Sequence, residues 1–559
     1  MKLQSEEKSH LSSRADTFLS KYANIRWLGV LFFVIVCLFG AYQISQTTNK
    51  SSSKVNTVAK LKLVSVFNRH GDRAPADELL GADEHGGSNA TLFWPNGLSN
   101  LTEEGKFRQY RIGLELRRKY SKFFDLDTNH VLAFSSSIVR CVESLEQTLG
   151  GLFSVDQTLE DGLEFTRQVS SCFQRDPYQL GAVSEKTRKC IKEELNVHMP
   201  NGPGFPNRWK SIRIDTKSIP VLNYNYLKNC PANLTNKPID RDLRESDSIR
   251  KLAGFERLAT LLKQRYDLNF NFTALAWWSS IAAELRLARS WQTLEHGQHF
   301  YVWVSQPAAG DGRNNQTLVA PTATAGKSPS LFDLYEQVVT LAYRDRIIGE
   351  ANYVQLAPLI GSLLQSQLVA LGKDGARLKP LLPDEHYKDK KMIFYSTHDS
   401  ILQLLLHRLQ IIDINENEPF EKRWNRMKNS DEVSQLLAGH KMTKFGFSLV
   451  FELWQMEASG EQQELSEKTT FEYIQLAVYN REDGKFKPVD YKRVQMGKVC
   501  RRLFLRLYPR QKLELDEQFY DEQFKIDQKF SCPLKLFRNV TSAYEFDLNK
   551  FNSICEGTM

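Results

Sequence analysis

Three times in this chain a short apolar run ends in a polar loop and reopens as a helical pattern. The runs are 61–67 (LKLVSVF), 131–134 with SSS after it, and 392–395 (MIFY) with ST after it. Each is too short for a buried helix and rich in β-branched or aromatic residues, so each reads as a strand. The stretches beyond them carry apolar residues at helical spacing: 101–124 with Thr102 as its cap, the stretch from Val139, and ILQLLLHRL after Asp399. Strands alternating with helices imply an α/β fold. Residues 445–454 and 471–479 alternate like an antiparallel pair. The expected architecture is therefore a central mixed sheet flanked by helices. The interval from about 154 to 375 is mostly helical in pattern and is expected to contain a smaller inserted cap. Residues 306–329 read as an exposed loop and 412–439 as a solvated excursion. No internal repeat is evident.

Composition excludes several classes. At 41% hydrophobic and 25% charged over 559 residues, the chain is ordinary globular protein rather than a disordered one. Lys and Arg outnumber Asp and Glu by 74 to 66, and the excess is not gathered into basic blocks, so no nucleic-acid partner is expected. His296 and His299 by themselves make no metal-ligand set, and no metal site or cofactor is expected. The eight cysteines include no CxxC. Cys37 lies in an apolar run, and the remaining seven leave at least one thiol free or paired with another chain.

That run, 27–42 (WLGVLFFVIVCLFGAY), carries no charge. At ~1.5 Å per residue it is ~24 Å long, and Gln43 and Ile44 extend it at the interface. Lys21 and Arg26 precede it closely, which by the positive-inside rule places 1–26 in the cytosol. The expectation is a single-pass signal anchor at 27–44, a flexible stem at 45–60 and a luminal domain at 61–559. A cleaved signal peptide is the alternative. A short span suits early secretory membranes. Asn-x-Ser/Thr sequons at Asn49, Asn89, Asn100, Asn233, Asn271, Asn315 and Asn539 all lie beyond the run, as glycosylation in a lumen requires.

One loop stands apart: Asn68-Arg69-His70-Gly71-Asp72-Arg73-Ala74-Pro75, directly after the first strand. Two arginines around a histidine make a poor core, because buried unpaired charge is costly. An anion resolves this, since guanidinium forks fit phosphate oxygens. His70, if neutral, can act as a nucleophile between them. Arg140 comes after the second strand and His398-Asp399 after the third, each opening a helix. Loops at the carboxyl ends of such strands share one crevice. The expected pocket holds Arg69, Arg73, Arg140 and His398 as donors, His70 as nucleophile and Asp399 as acid. Asp399 can also cap the helix at Ser400. Asp72 is expected to be a salt-bridge partner, and Cys141 a buried inert thiol rather than a reactive one.

These segments resemble the histidine acid phosphatases, the membrane and secreted branch of the histidine phosphatase superfamily. RHGDRAP (69–75) matches the pattern RHGxRxP at every fixed position, and STHD (396–399) matches the second motif. LTEEG at 101–105 and LRRKY at 116–120 match the helix after the first motif, and SCPLKLF (531–537) with Cys555 matches the closing segment. The resemblance runs from about 60 to 559. Around Arg140 the chain reads SSSIVRCVES in place of the fuller RSTDxDRT, and Ser400 stands where Thr is commoner.

The resemblance implies that His70 takes the phosphoryl group as a phosphohistidine. Arg69, Arg73, Arg140 and His398 would hold its oxygens, Asp399 would protonate the leaving alcohol, and water would release phosphate. No metal is needed, and the requirement for protonated Asp399 implies an acidic optimum. The resemblance also implies the disulfide Cys230–Cys555 and, more loosely, Cys500–Cys532 and Cys172–Cys190. The substrate stays open between the small phosphomonoesters of a general acid phosphatase and a secretory-pathway glycan (xylose-phosphate). A Golgi or endolysosomal membrane is expected, and a homodimer is permitted. A non-catalytic binding module and a phosphoryl-transfer mutase are the other readings. Both His70 and Asp399 are present, against the first, and the anchor and sequons oppose the second.

Overall fold

The computed structural model describes residues 56–73, 97, 99–154, 159–164, 168, 189–190, 210–223, 350–375, 382–409, 411, 443, 445–459, 470–480, 490–508 and 526–542. The strands are β1 (Asn56–Arg69), β2 (Val131–Ser135), β3 (Ile214–Asp215), β4 (Met392–Thr397), β5 (Ser448–Ser459), β6 (Thr470–Asn480), β7 (Asp490–Arg493) and β8 (Ser531–Pro533). The α-helices are α1 (Glu103–Phe124), α2 (Val139–Leu152), α3 (Glu350–Ala370), α4 (Asp399–Arg408), α5 (Met496–Leu507) and α6 (Leu534–Ser542). The strands form one sheet in the order β3-β2-β4-β1-β5-β6-β7, with β8 also on β6. β1, β2, β3 and β4 pair in parallel, and β5 to β8 pair antiparallel. The fold is thus α/β with a central mixed sheet.

The chain divides into two compact units, Met1–Val58 with Ala458–Lys468 and Ala59–Glu457 with Thr469–Met559. Among the described residues the first holds only the ends of β1 and β5. The second carries both cores and the site.

Strand alternation splits the apolar residues between two cores. On one face, Phe67, Ile393, Tyr395 and Phe451 pack against α3, α4, α5 and α6. On the other, Val64, Val66, Met392, Phe394 and Val450 pack against α1 and α2. β4 is buried along its whole length, as a central parallel strand covered on both faces must be. Phe67 stacks on Tyr395 with ring centroids 4.3 Å apart. α1 starts where the sequence places its cap: the Thr102 hydroxyl accepts from the Gly105 N–H at 3.0 Å. α1 and α2 cross with their backbones in contact, since a Cβ on Gly113 would strike the Thr148 carbonyl and one on Gly151 the Tyr110 carbonyl.

Three boundaries differ from the sequence reading. β1 begins at Asn56, inside the expected stem, and from its near end Lys60 reaches Glu457 of β5 at 2.8 Å. The ladder here overrides a polar composition. β5 begins at Ser448, not at Phe445, because Gly446 takes φ +72 and turns the chain. Its N–H then donates to the His70 carbonyl at 3.1 Å. Finally, 154–375, expected to contain the cap, also contributes to the main sheet and core. β3 extends the sheet beside β2, while α3 and the turn Pro220–Leu222 belong to the main core.

The expected anchor at 27–44, the loop 306–329 and the excursion 412–439 lie outside the described residues, as does most of the expected cap. Among the described residues no helix is long and apolar enough to cross a membrane. Cys500 and Cys532 are bonded, with Cα atoms 6.2 Å apart, tying α5 to β8. Cys190 is disulfide-bonded, and its expected partner Cys172 lies outside the described residues, as do Cys230 and Cys555. Asn100 and Asn539 are half-buried, and the other sequon asparagines lie outside the described residues.

Candidate active site

The parallel register sets the site. Arg69 pairs with Thr397, and Ser135 with Ser396, so the loops after β1, β2 and β4 leave the sheet side by side. Backbone bonds extend the alignment one step past the strands: His70 N–H to the Thr397 carbonyl (3.1 Å) and Ser136 N–H to the Ser396 carbonyl (2.9 Å). His70 and His398 are therefore adjacent, with ring centroids 5.5 Å apart and edge to face.

His70 is 2% exposed. Its Nδ1 lies 2.9 Å from the Gly71 carbonyl oxygen. That oxygen can only accept, so Nδ1 carries the proton and Nε2 presents its lone pair. Burial pulls the imidazole well below its ordinary pKa of 6.5, and the charges of Arg69, Arg140, His398 and Arg73 push the same way. The ring is thus a neutral base inside a cluster of cations. The turn is pinned by the Gly71 N–H, which donates to Ser144 Oγ (2.9 Å), and that hydroxyl donates to the Arg140 carbonyl (2.6 Å). Asp72 takes Arg108 Nη1 on Oδ1 at 2.7 Å, and its carbonyl accepts from the Thr102 N–H, joining the loop to the start of α1.

Arg69 is held from several sides. Nη1 donates to the Thr443 carbonyl (2.6 Å), and Nη2 lies 3.0 Å from Asp399 Oδ2. The guanidinium carbon sits 4.1 Å above the Phe445 ring, whose centroid is also 5.4 Å from that of His70. Asp399 is the first residue of α4, and its Oδ1 accepts from the Ser400 N–H (2.8 Å), so the carboxylate engages a free amide at the helix start as well as facing Arg69. His398 Nδ1 lies 3.5 Å from Arg140 Nη2, and Nε2 lies 3.0 Å from Ser136 Oγ. Burial and then Arg140, Arg69 and Arg73 lower the His398 pKa well below 6.5. The Cys141 thiol lies against that ring, 3.5 and 3.8 Å from its nitrogens, and burial drives its pKa up to about 12. It stays a thiol, not a nucleophilic thiolate.

All six residues named from the sequence thus meet: Arg69, Arg73, Arg140 and His398 surround His70, and Asp399 joins through Arg69. Chemically the arrangement sets an unprotonated imidazole nitrogen and a carboxyl among guanidinium groups, a set that can receive an anion. Among the described residues no group of acidic, histidine and cysteine side chains could hold a metal ion. Sequence reasoning missed Phe445, Thr443 and Asn223. Phe445 read as part of a strand, Thr443 acts through its backbone, and Asn223 comes after a stretch with no motif.

The sequence profile of the histidine phosphatase superfamily (branch 2) matches residues 60–479, about three quarters of the chain. The chain belongs to this superfamily. Among curated relatives of this histidine phosphatase, human testicular acid phosphatase is 38% identical over 361 residues, 63% of this chain and 64% of the relative. The putative acid phosphatase 5 of Caenorhabditis elegans is 30% identical over 186 residues, 33% of this chain and 40% of the relative. The matches thus span two fifths to just under two thirds of those relatives. Among solved structures, the phytase of Klebsiella sp ASR1 superposes with a TM-score of 0.43 at 11% identity, covering 89% of this chain and 98% of that one.

Proposed function

We propose that this histidine phosphatase hydrolyses phosphomonoesters in the manner of an acid phosphatase. The observation that carries the reading is the state of His70: its proton is held on Nδ1 by Gly71 and its basicity is lowered by burial and arginines. Nε2 therefore stays an unprotonated nucleophile to lower pH than an ordinary histidine would. Nε2 attacks phosphorus as the P–O bond to the alcohol breaks, and Asp399 gives its proton to the departing oxygen. Arg69, Arg73 and Arg140 stabilise the transferring group, and His398 faces Arg140. Water then attacks the phosphohistidine, Asp399 takes its proton, and phosphate leaves with His70 restored.

The wider setting is proposed as well: a single N-terminal membrane helix at 27–44, a glycosylated catalytic domain beyond it, and a Golgi or endolysosomal membrane. The uncharged apolar run and the sequons after it support this. They also favour a secretory-pathway glycan phosphate as an alternative substrate to small phosphomonoesters.

The test uses purified full-length chain, with and without His70→Ala, on an aryl phosphate and a phosphorylated xyloside from pH 4 to 7. Wild type should turn over, form an acid-labile phosphoenzyme, and lose at least about a thousandfold in kcat on removal of the nucleophile. Equal, negligible turnover by folded wild type and variant on both substrates would instead favour a binding module.

A further inference from the structure

We infer that Asn223, acting through the Ser136 hydroxyl, is a positioning residue that sets the tautomer of His398 and thereby the seat of Arg140. The donors and acceptors along this path give its protons a direction, with the Cys141 thiol also lying against the His398 ring. Asn223 Oδ1 accepts from the Ser137 N–H at 2.8 Å. A backbone N–H can only donate, so this atom is the amide oxygen and the side chain's orientation is fixed. The same oxygen lies 2.8 Å from Ser136 Oγ and 3.0 Å from Ser137 Oγ. It has no proton to give, so the Ser136 hydroxyl donates its only one there. Ser136 Oγ must then accept from its other neighbours, the Ile138 N–H at 3.3 Å and His398 Nε2 at 3.0 Å. The His398 proton is thereby assigned to Nε2. Its Nδ1 keeps a lone pair, and that nitrogen faces Arg140 Nη2 at 3.5 Å.

The bonds form a directed chain in which Arg140 donates to His398, His398 to Ser136, and Ser136 to Asn223. Were Ser136 to donate to His398 instead, the ring proton would move to Nδ1, which faces a guanidinium that can only donate and the weakly accepting Cys141 sulfur at 3.8 Å. The site is buried: Ser136 is fully covered and His398 is 3% exposed. A reversed bond is therefore not rescued by bulk water. Asn223 is also mechanically joined to the site. It adjoins the turn Pro220–Leu222, and the Leu222 carbonyl accepts from Thr397 Oγ1 at 2.8 Å, one residue before His398.

The consequence for catalysis rests on the phosphatase reading; the tautomer does not. The test therefore has two readouts on the full-length chain. Nitrogen-15 NMR of labelled histidine reports the His398 tautomer, and steady-state kinetics with inorganic phosphate as inhibitor reports Arg140. Wild type should show the Nε2–H form. Ser136→Ala removes the hydroxyl bonded to His398, and Asn223→Ala removes the acceptor while leaving that hydroxyl, so a purely structural role for Asn223 predicts no tautomer change in the second variant. The relay predicts loss of the pure Nε2–H signature and a rise of about tenfold in KM and in the phosphate Ki, with kcat within about threefold. Asn223→Asp keeps an acceptor at the same place and should keep the wild-type tautomer. An Nδ1–H signal in wild type, or an unchanged Ki in folded Ser136→Ala, overturns the relay. The expected tautomers with weakened phosphate binding, in a protein that turns over no substrate, would uphold the relay and reject the phosphatase reading.

Discussion

Arg69 Nη2 lies 3.0 Å from Asp399 Oδ2, and both side chains are nearly withdrawn from water, at 7% and 14% exposure. The proposed acid is thus tied to one of the proposed phosphate ligands. The other fork nitrogen of Arg69 is engaged by the Thr443 carbonyl, and its plane rests on Phe445. Lysine cannot reproduce two divergent bonds and a stacked plane. Arg69→Lys is expected to lower kcat/KM by about a hundredfold or more. Asp399→Asn should slow an alkyl phosphate by roughly a hundred- to ten-thousandfold, and an activated aryl phosphate much less, because a good leaving group needs little protonation. Equal losses on the two substrates would remove Asp399 from the acid role.

His70 and His398 make stability depend on pH in a defined direction. Both are buried and neutral in the folded chain, with pKa values well below 6.5. In the unfolded chain each takes up a proton near pH 6.5. The unfolded state therefore binds more protons below that pH, and stability declines as pH falls from about 6.5 toward the depressed folded values. It is fully present above 6.5. The slope is at most roughly 1.4 kcal/mol per pH unit for each ring. Thermal melts at pH 7.5 and 5.0 check this: wild type should lose more Tm between them than His70→Asn does. Added phosphate should stabilise wild type by occupying the arginine cluster.

The crossing of α1 and α2 leaves no room at Gly113 or Gly151. A methyl group at either meets a backbone carbonyl, which no side-chain rotation can move away. Gly113→Ala is expected to destabilise the fold by about 1–3 kcal/mol. Urea unfolding should show a lower midpoint at an unchanged m-value. A null effect would mean the helices slide apart at little cost.

Cys500 and Cys532 are 32 residues apart, and their bond joins α5 to β8 at the β6 side of the sheet. Closing a loop of that size restricts the unfolded chain by roughly 3–4 kcal/mol. The double variant Cys500→Ala/Cys532→Ala should lose about that much in denaturant unfolding. Its turnover at low temperature should change little, because β8 lies on β6, away from β1 and the site.

The alternation of apolar runs with helical patterns sufficed to read an α/β fold with a mixed sheet, because period and length are local properties. The RHGDRAP and STHD segments marked the residues that meet at the candidate site for a similar reason: adjacent arginines and a histidine after a strand have few uses other than holding an anion. What stayed hidden depended on contacts far apart in sequence. Residues 56–60 look like a polar linker, and their strand exists only because β1 lies in a sheet beside β5. Residues Glu350–Ala370 resemble any apolar helix, and only packing against the sheet assigns them to the main core rather than the cap. Asn223 carries no local signal, since its importance lies in an amide oxygen aimed at Ser136 and Ser137, 87 and 86 residues away. Periodicity and residue chemistry are written into short windows of sequence. Hydrogen-bond direction, tautomer and ion pairing are properties of three-dimensional neighbours, and tertiary structure alone decides them.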